Sequence, residues 1–284
     1  MFFRVLVMLR SSIVEDSVEY LIGKQIGAGG TSTVYEWGNH EVIKIFKPHM
    51  SEDAITYEEY IGTILNKFAL EIPRFIRSIE MDGKKALIYE RVNGSVLLDS
   101  IFEGGGQPDM AYRYAKMHHD IHRCSITELP SQYEFLKRRV VEMKPALGDK
   151  AEKLLDLLDS IPDDIKLCHG DYQPLNILTC NGKYIAIDWN DACFGNPVLD
   201  VAWSYQTLNS PAIRFHFDET VANLAIALSR EYLMHYSKLS GIDEGQIIRC
   251  LPIVAARRLY DNNLNENDIS RWEHDWLMDN IAKA

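Results

Sequence analysis

Long apolar runs, paired cysteines and basic clusters are all missing from this 284-residue chain. No stretch approaches the roughly 20 apolar residues that a membrane-spanning helix needs. The apolar opening Met1-Phe2-Phe3-Arg4-Val5-Leu6-Val7-Met8-Leu9-Arg10 is interrupted by two arginines and has no small-residue cleavage site after it. It therefore reads as a strand or a ragged start and argues against a signal peptide. The five cysteines, Cys124, Cys168, Cys180, Cys193 and Cys250, are odd in number and contain no C-x-x-C pair. Reduced thiols packed in a core, in a cytoplasmic protein, are the expectation. With 30 basic against 41 acidic side chains the formal charge is −11, and no local basic stripe offsets it. Nucleic acid and anionic membrane surfaces are thus poor partners, and nothing points to an obligatory protein partner. Internal repeats and low-complexity segments are absent as well.

What remains is an ordinary globular composition, 46% hydrophobic and 25% charged, long enough for one large domain or two lobes. From Tyr20 to Phe46 the pattern alternates strands and glycine turns: Tyr20–Ile26, Thr33–Trp37 after a glycine segment, and Glu41–Phe46 after Gly38-Asn39. A helix is expected from about Ser51 to Phe68, followed by strands near Phe75–Met81 and Lys85–Arg91 around Asp82-Gly83. Beyond Asn93-Gly94 the pattern becomes helical, over Met110–Arg123, Gln132–Lys144, Ala151–Ser160, Asp218–Tyr236, Glu244–Tyr260 and Ile269–Ile281. Two short β-like pieces, Ile165–Cys168 and Tyr184–Asp188, break it. The predicted fold is α+β and bilobal: residues 1–92 form a small antiparallel sheet with one helix, and residues 93–284 form a larger, mainly helical lobe.

The most unusual residues follow those two β-like pieces. His169-Gly170-Asp171-Tyr172-Gln173-Pro174-Leu175-Asn176 has the spacing H-x-D-x-x-x-x-N. A short loop of this kind places a carboxylate, Asp171, beside an attacking hydroxyl while an amide oxygen five residues on, at Asn176, can ligate Mg²⁺. Twelve positions later Ile185-Ala186-Ile187-Asp188-Trp189 ends a β-branched run in a second carboxylate, Asp188, suited to the same metal. Gly27-Ala28-Gly29-Gly30-Thr31-Ser32-Thr33-Val34 follows G-x-G-x-x-G-x-V except at Ser32. Its glycines allow backbone to approach phosphate, and Thr31 and Ser32 add hydroxyl donors. The strand pattern after it excludes a dinucleotide fingerprint, which requires a helix there. Lys44, between Ile43 and Ile45, shares neither neighbour's face and can turn into an interlobe cleft toward phosphate. It needs an acid from the next helix, for which Glu58 is a slightly better candidate than Glu59. Glu90 and Val92 stand at an expected hinge, where backbone groups can meet an adenine edge.

The ordered set of glycine loop, lysine, glutamate, hinge, H-G-D-x-x-x-x-N and I-D-W resembles the aminoglycoside phosphotransferase and choline kinase family over residues 20 to 203. The distinguishing residues are His169-Gly170-Asp171 in place of His-Arg-Asp, and Ile187-Asp188-Trp189 followed by Gly195-Asn196-Pro197-Val198-Leu199-Asp200-Val201-Ala202. That resemblance implies a protein-kinase-like fold, ATP or another nucleoside triphosphate with Mg²⁺, and transfer of the γ-phosphoryl to a hydroxyl of a small molecule such as an aminoglycoside-like, choline-like, amino alcohol or sugar acceptor. It implies a structural role for Asp200, and His169 is expected to orient the loop rather than transfer protons. Asp191, Trp203, Tyr205 and Asp261 are candidates for the acceptor pocket, and the acids Asp261, Glu266 and Asp268, which follow a stretch resembling a late helix of these kinases, would suit a cationic acceptor. His118 and His122 imitate half of a zinc site, but no third ligand stands out and packing is the expected role. A catalytically silent nucleotide-binding scaffold is the main rival. A protein kinase is disfavoured, because only twelve residues separate Asp188 from Asp200.

Overall fold

A computed structural model describes residues 22–81, 83–102, 109–265 and 268–284. The apolar stretch at residues 1–10 lies outside them. The chain divides into two compact units: one runs through Lys67 and returns over Pro73–Val92, and the other comprises Phe68–Ile72 with Asn93–Ala284.

The first unit is an antiparallel sheet with one helix. Strands β1 (Ile22–Ala28), β2 (Ser32–Trp37), β3 (Glu41–Phe46), β4 (Phe75–Met81) and β5 (Lys84–Glu90) lie in the order β1-β2-β3-β5-β4. The period-two alternation of β3 sorts its side chains cleanly. Ile43 joins Trp37, Ala86 and Ile88 on one face, with Ile45 packed against them. Phe46 joins Leu87 and Ile55 on the other, where helix α1 (Glu52–Leu65) packs. Lys44 sits opposite Leu87 in the ladder and shares this second face, which aims it at α1. Ser51 caps α1 by accepting the Ala54 N–H at 3.2 Å.

The second unit begins with the two-residue strand β6 (Ser95–Val96) and helices α2 (Leu97–Phe102), α3 (Met110–His122), α4 (Gln132–Glu142), α5 (Lys144–Leu147) and α6 (Lys150–Asp159). Strand β7 (Lys166–Cys168) then leads through a 3₁₀ turn at Pro174–Asn176 into β8 (Ile177–Cys180), β9 (Lys183–Ala186) and β10 (Cys193–Gly195). Helices α7 (Pro197–Leu208), α8 (Ile213–His216), α9 (Glu219–Ser240), α10 (Glu244–Arg249), α11 (Leu251–Asn265) and α12 (Asp268–Ile281) complete it. The core where α3, α7 and α9 meet is aromatic and polar: Tyr114, Tyr172, Tyr232 and Tyr236 are almost fully buried.

The short strands β6, β8 and β10 and the short helices α2, α5 and α8 go beyond the sequence expectation, and two longer segments differ from it. The helix expected over Glu244–Tyr260 breaks at Cys250, because Pro252 lacks an N–H and cannot continue the ladder of α10, so α11 restarts around it. Helix α7 was not anticipated, although Asn196-Pro197 is a helix start. Asn196 Oδ1 accepts the Val198 N–H at 3.1 Å, and Pro197 occupies the first turn, where a missing N–H costs nothing. Asn196 also donates to the Pro162 carbonyl at 2.9 Å. Replacement Asn196→Ala should lower the unfolding free energy by about 1–2 kcal/mol, measured by urea denaturation.

Candidate active site

Two hairpins in the second unit assemble the acidic residues. Antiparallel pairing of β7 with β10 sets Cys168 against Cys193, so the loop after β7 and the loop before β10 run side by side. Pairing of β8 with β9 sets Ile177 against Ala186, and the Ile187 N–H donates to the Asn176 carbonyl at 2.9 Å. Asn176 and Asp188 thereby flank the same end of one hairpin.

Within the loop, Gly170 has φ +82°, and a Cβ there would lie 2.1 Å from the Asp191 carbonyl oxygen. Only glycine fits both the left-handed backbone and that approach, which accounts for His-Gly-Asp where the protein-kinase loop has His-Arg-Asp. The loop is pinned from beneath by Asp200 of α7, 1% exposed. Its Oδ2 accepts the His169 N–H at 2.7 Å and its Oδ1 the Gly170 N–H at 2.9 Å. His118 and His122 also direct Nε2 at Oδ2, at 3.0 and 3.1 Å, while their Nδ1 atoms each take a tyrosine hydroxyl, Tyr232 and Tyr236, at 2.7 Å. Burial pushes both phenols above the usual tyrosine range, so they remain O–H donors. Asp200 is thus the third group that the two histidines lacked in sequence, with spacing that a metal ion could use. The separations are those of N–H···O bonds, and every ring nitrogen already has a partner, so the cluster is a saturated hydrogen-bonded anchor.

Asp171 carries its carboxylate in a ring of neutral donors. Trp203 Nε1 donates to Oδ1 at 3.0 Å, and Gln173 Nε2 and Asn176 Nδ2 donate to Oδ2 at 2.8 and 2.9 Å. Asn176 Nδ2 also reaches the Asp171 carbonyl at 2.9 Å, which leaves its Oδ1 uncommitted among the described residues. Asp188 is exposed and sits at φ +61°, a left-handed conformation that an Asp tolerates at some cost. Asn190 Nδ2 donates to its Oδ1 at 2.8 Å, and no cation pairs with it among the described residues. An amide oxygen and a carboxylate at one hairpin end are the hard donors that Mg²⁺ takes. His169 accepts the Asp171 N–H at Nδ1, 3.3 Å away, and its Nε2 lies 3.0 Å from the Ile187 carbonyl, so it links the two hairpins.

In the first unit, Lys44 Nζ lies 2.6 Å from Glu58 Oε1, a pair about seven-eighths buried on each side. Tyr89 donates to the same oxygen at 3.3 Å. Glu59 is engaged elsewhere: Ser78 and Lys85 hold it at 2.6 and 2.8 Å, and those bonds lower its pKa. Gly27 and Ala28 end β1, and Gly29, Gly30 and Thr31 make the turn into Ser32, with the Gly29 N–H on the Ser32 carbonyl at 2.9 Å. Nothing lies within 4 Å of a Cβ built on Gly29 or Gly30, so their backbone is open to approach. The Glu90 N–H is committed to the Arg74 carbonyl at 2.9 Å, whereas neither backbone group of Val92 has a partner among the described residues.

The residues expected to meet the acceptor are mostly engaged within the protein. Asp191 pairs with Arg257 Nη2 at 2.9 Å, and Asp261 receives Arg139 Nε at 3.0 Å. Trp203 holds Asp171. Tyr205, two residues on and roughly 200° around α7, has no side-chain hydrogen bond among the described residues, and its carbonyl accepts from Asn209 Nδ2 at 2.7 Å. Gln173 and Arg257 escaped the sequence reading of the site. Gln173 lies inside the catalytic loop motif and was open to inspection there, whereas Arg257 is distant in sequence, in the stretch Leu251–Leu259 that resembles a late helix of these kinases, where nothing local ties it to the loop.

The sequence profile of the phosphotransferase enzyme family matches residues 22–242. This chain belongs to that family. A search of the curated proteins found no match. Among solved structures, a choline/ethanolamine kinase family protein from Mesorhizobium loti superposes with a TM-score of 0.62 at 11% identity, covering 92% of this chain and 86% of that one. The streptomycin–ATP ternary complex of APH(2'')-IIa gives 0.60 at 13% identity over 92% of both chains. The GDP and kanamycin complex of APH(2'')-IIIa gives 0.59 at 16%, over 94% and 95%. The fold is that of the protein-kinase-like phosphotransferases.

Two outcomes follow for the loop and its anchor. Gly170→Ala should destabilise the protein by more than about 1 kcal/mol, from the left-handed backbone alone, and displace Asp171, read as lost unfolding free energy together with lost turnover. Burial and the neighbouring His122 hold His118 down to about 3, against an ordinary 6.5, despite the Asp200 carboxylate. Burial alone would raise Asp200, but the two histidine hydrogen bonds hold it well below 3.8. Between pH 6.5 and 3 the unfolded chain therefore binds a proton at His118 that the folded chain refuses, and below 3.8 the same holds at Asp200. Stability should fall as pH drops through that window. Urea titrations at stepped pH should show a shallower dependence in His118→Gln.

Proposed function

We propose that the protein transfers the γ-phosphoryl group of ATP, or of another nucleoside triphosphate, to a hydroxyl of a small molecule. The observation that carries this reading is the Asp171 carboxylate, held by three neutral donors with no cation against it among the described residues, on a loop whose Asn176 oxygen shares one hairpin end with the Asp188 carboxylate. In this role Asp171 accepts or orients the acceptor's hydroxyl proton. Asn176 and Asp188 would hold Mg²⁺, which when bound supplies positive charge to the β- and γ-phosphates. Lys44, kept in place by Glu58, serves the α- and β-phosphates. The backbone of Gly27, Ala28, Gly29 and Gly30, with the Thr31 and Ser32 hydroxyls, would cradle phosphate oxygens, and Glu90 and Val92 would offer backbone to the base. Catalysis on this reading is positioning and charge neutralisation, with little covalent work for the protein.

A silent scaffold is the weaker reading, since all the chemical side chains are present and the Asp171 carboxylate is ordered by residues of three kinds. Mg²⁺-dependent ATP consumption should appear with at least one member of a panel of aminoglycosides, choline, amino alcohols and sugars. Asp171→Ala should lower kcat by at least about 10³-fold while leaving ATP affinity within threefold. A variant that turns over like the wild type removes Asp171 from its role, and silence across the panel with normal ATP binding favours the scaffold.

A further inference from the structure

We propose that Arg257, acting through Trp203, positions the Asp171 carboxylate for reaction, so that α11 as well as the catalytic loop sets the geometry of the base. This rests on the reading of Asp171 given above. Of the three donors to that carboxylate, Gln173 and Asn176 belong to the same loop and move with it. Trp203 alone arrives from outside, on α7, and its Nε1–H on Oδ1 at 3.0 Å refers the carboxylate to the helical scaffold. An indole keeps that direction only if its ring plane is fixed. The Arg257 guanidinium lies 3.8 Å from the Trp203 ring centroid and clamps it as a cation–π plate.

Arg257 is itself held in two further directions. Nη1 donates to the Gly170 carbonyl at 2.7 Å, and Nη2 to Asp191 Oδ2 at 2.9 Å, with Nε 3.5 Å from Asp261 Oδ2. Its side chain is 7% exposed. One guanidinium thus grips the backbone of the residue before the base and the ring that holds the base's carboxylate. A salt bridge serving stability alone would need only Asp191 or Asp261. The planar fork is essential, since a lysine could neutralise the acids but could not stack and bond Gly170 at once. Arg257 and Trp203 are positioning residues on this reading: the indole N–H expected to meet the acceptor is spent on the Asp171 carboxylate, and the guanidinium on the indole ring and the Gly170 carbonyl.

The test uses full-length protein and two independent readouts. The first is the Trp203 indole Nε1–H resonance, assigned by its disappearance in Trp203→Phe. Slow exchange with solvent in the wild type, and a shifted, faster-exchanging signal in both Asp171→Asn and Arg257→Lys, are expected. The second is turnover of MgATP with the panel acceptor that the wild type uses fastest. Trp203→Phe, which keeps an aromatic plate under Arg257 and deletes only the donor, should lower kcat about tenfold to a hundredfold with KM for ATP unchanged. Arg257→Lys should match it rather than rescue it. Wild-type kcat in Trp203→Phe alongside an inactive Asp171→Ala overturns the positioning role and leaves the functional reading intact. Turnover retained by Asp171→Ala, or silence across the panel, defeats the functional reading instead. The proposal then stands or falls on the resonance, and an indole proton that exchanges freely and ignores Asp171→Asn overturns it.

Discussion

A single buried carboxylate organises the second unit. Asp200 gives up water entirely, a loss worth several kcal/mol for an isolated ion, and recovers it through four N–H donors: two backbone amides of the catalytic loop and two histidine rings of α3. Each donor is there because something else holds it. The rings are turned by Tyr232 and Tyr236 from α9, and the amides point downward because Gly170 adopts a backbone that other residues avoid. Removing one member would leave a buried polar group unpaired, a greater cost than the bond it made. The loop is therefore fixed to three helices by one ion, and the positions of Asp171 and Asn176 inherit that rigidity. The rings of Tyr172 and His118, stacked with centroids 3.9 Å apart, extend the same cluster into the apolar core.

Charge is distributed around this anchor in a way that separates acids paired with cations from acids held by neutral donors. Asp191 and Asp261 face arginines, and Glu58 and Glu59 face lysines. Asp171 and Asp188 have only neutral amide and indole donors among the described residues. Neutral donors orient a carboxylate without cancelling its charge. That leaves these two acids available to a proton and to a divalent cation. The engaged state of Asp191 and Asp261 also weakens the case for them as the groups that would greet a cationic acceptor, since an ammonium would have to displace Arg257 or Arg139.

Patterns local in sequence were legible because their causes are local. Glycine turns marked the strands, and the alternation Ile43-Lys44-Ile45 correctly separated Lys44 from its neighbours' face. The choice between Glu58 and Glu59 was nearly even because both lie on the first turns of α1 facing the sheet. It was settled only by where Lys85 and Ser78 fall on β5 and β4. The catalytic loop was readable from spacing, since five residues suffice to bring Asn176 back to Asp171. Trp203 was read as a pocket residue. Its indole direction depends on Arg257, more than fifty positions away, and no short-range pattern encodes a stack between two helices. The role of Asp200 was expected from the family resemblance, but its histidine partners were not, because an i, i+4 pair of histidines on a helix is ambiguous until the third group is placed.

The glycine of the catalytic loop and the arginine of α11 meet at one backbone carbonyl. In the protein-kinase pattern His-Arg-Asp, a guanidinium is carried by the residue that precedes the base. Here that residue has no side chain, because its Cβ position is taken by the Asp191 carbonyl. The close approach packs the loop after Asp188 directly onto the loop before Asp171, tying the segments of the two carboxylates together. It also leaves the Gly170 carbonyl facing Arg257, whose guanidinium arrives from another segment of the chain. A guanidinium fixed to a long helix is tied to the packing of α11 against α7 rather than to the loop's own conformation. On the reading of Asp171 as the base, its orientation then depends on α11 as well as on the loop that carries it.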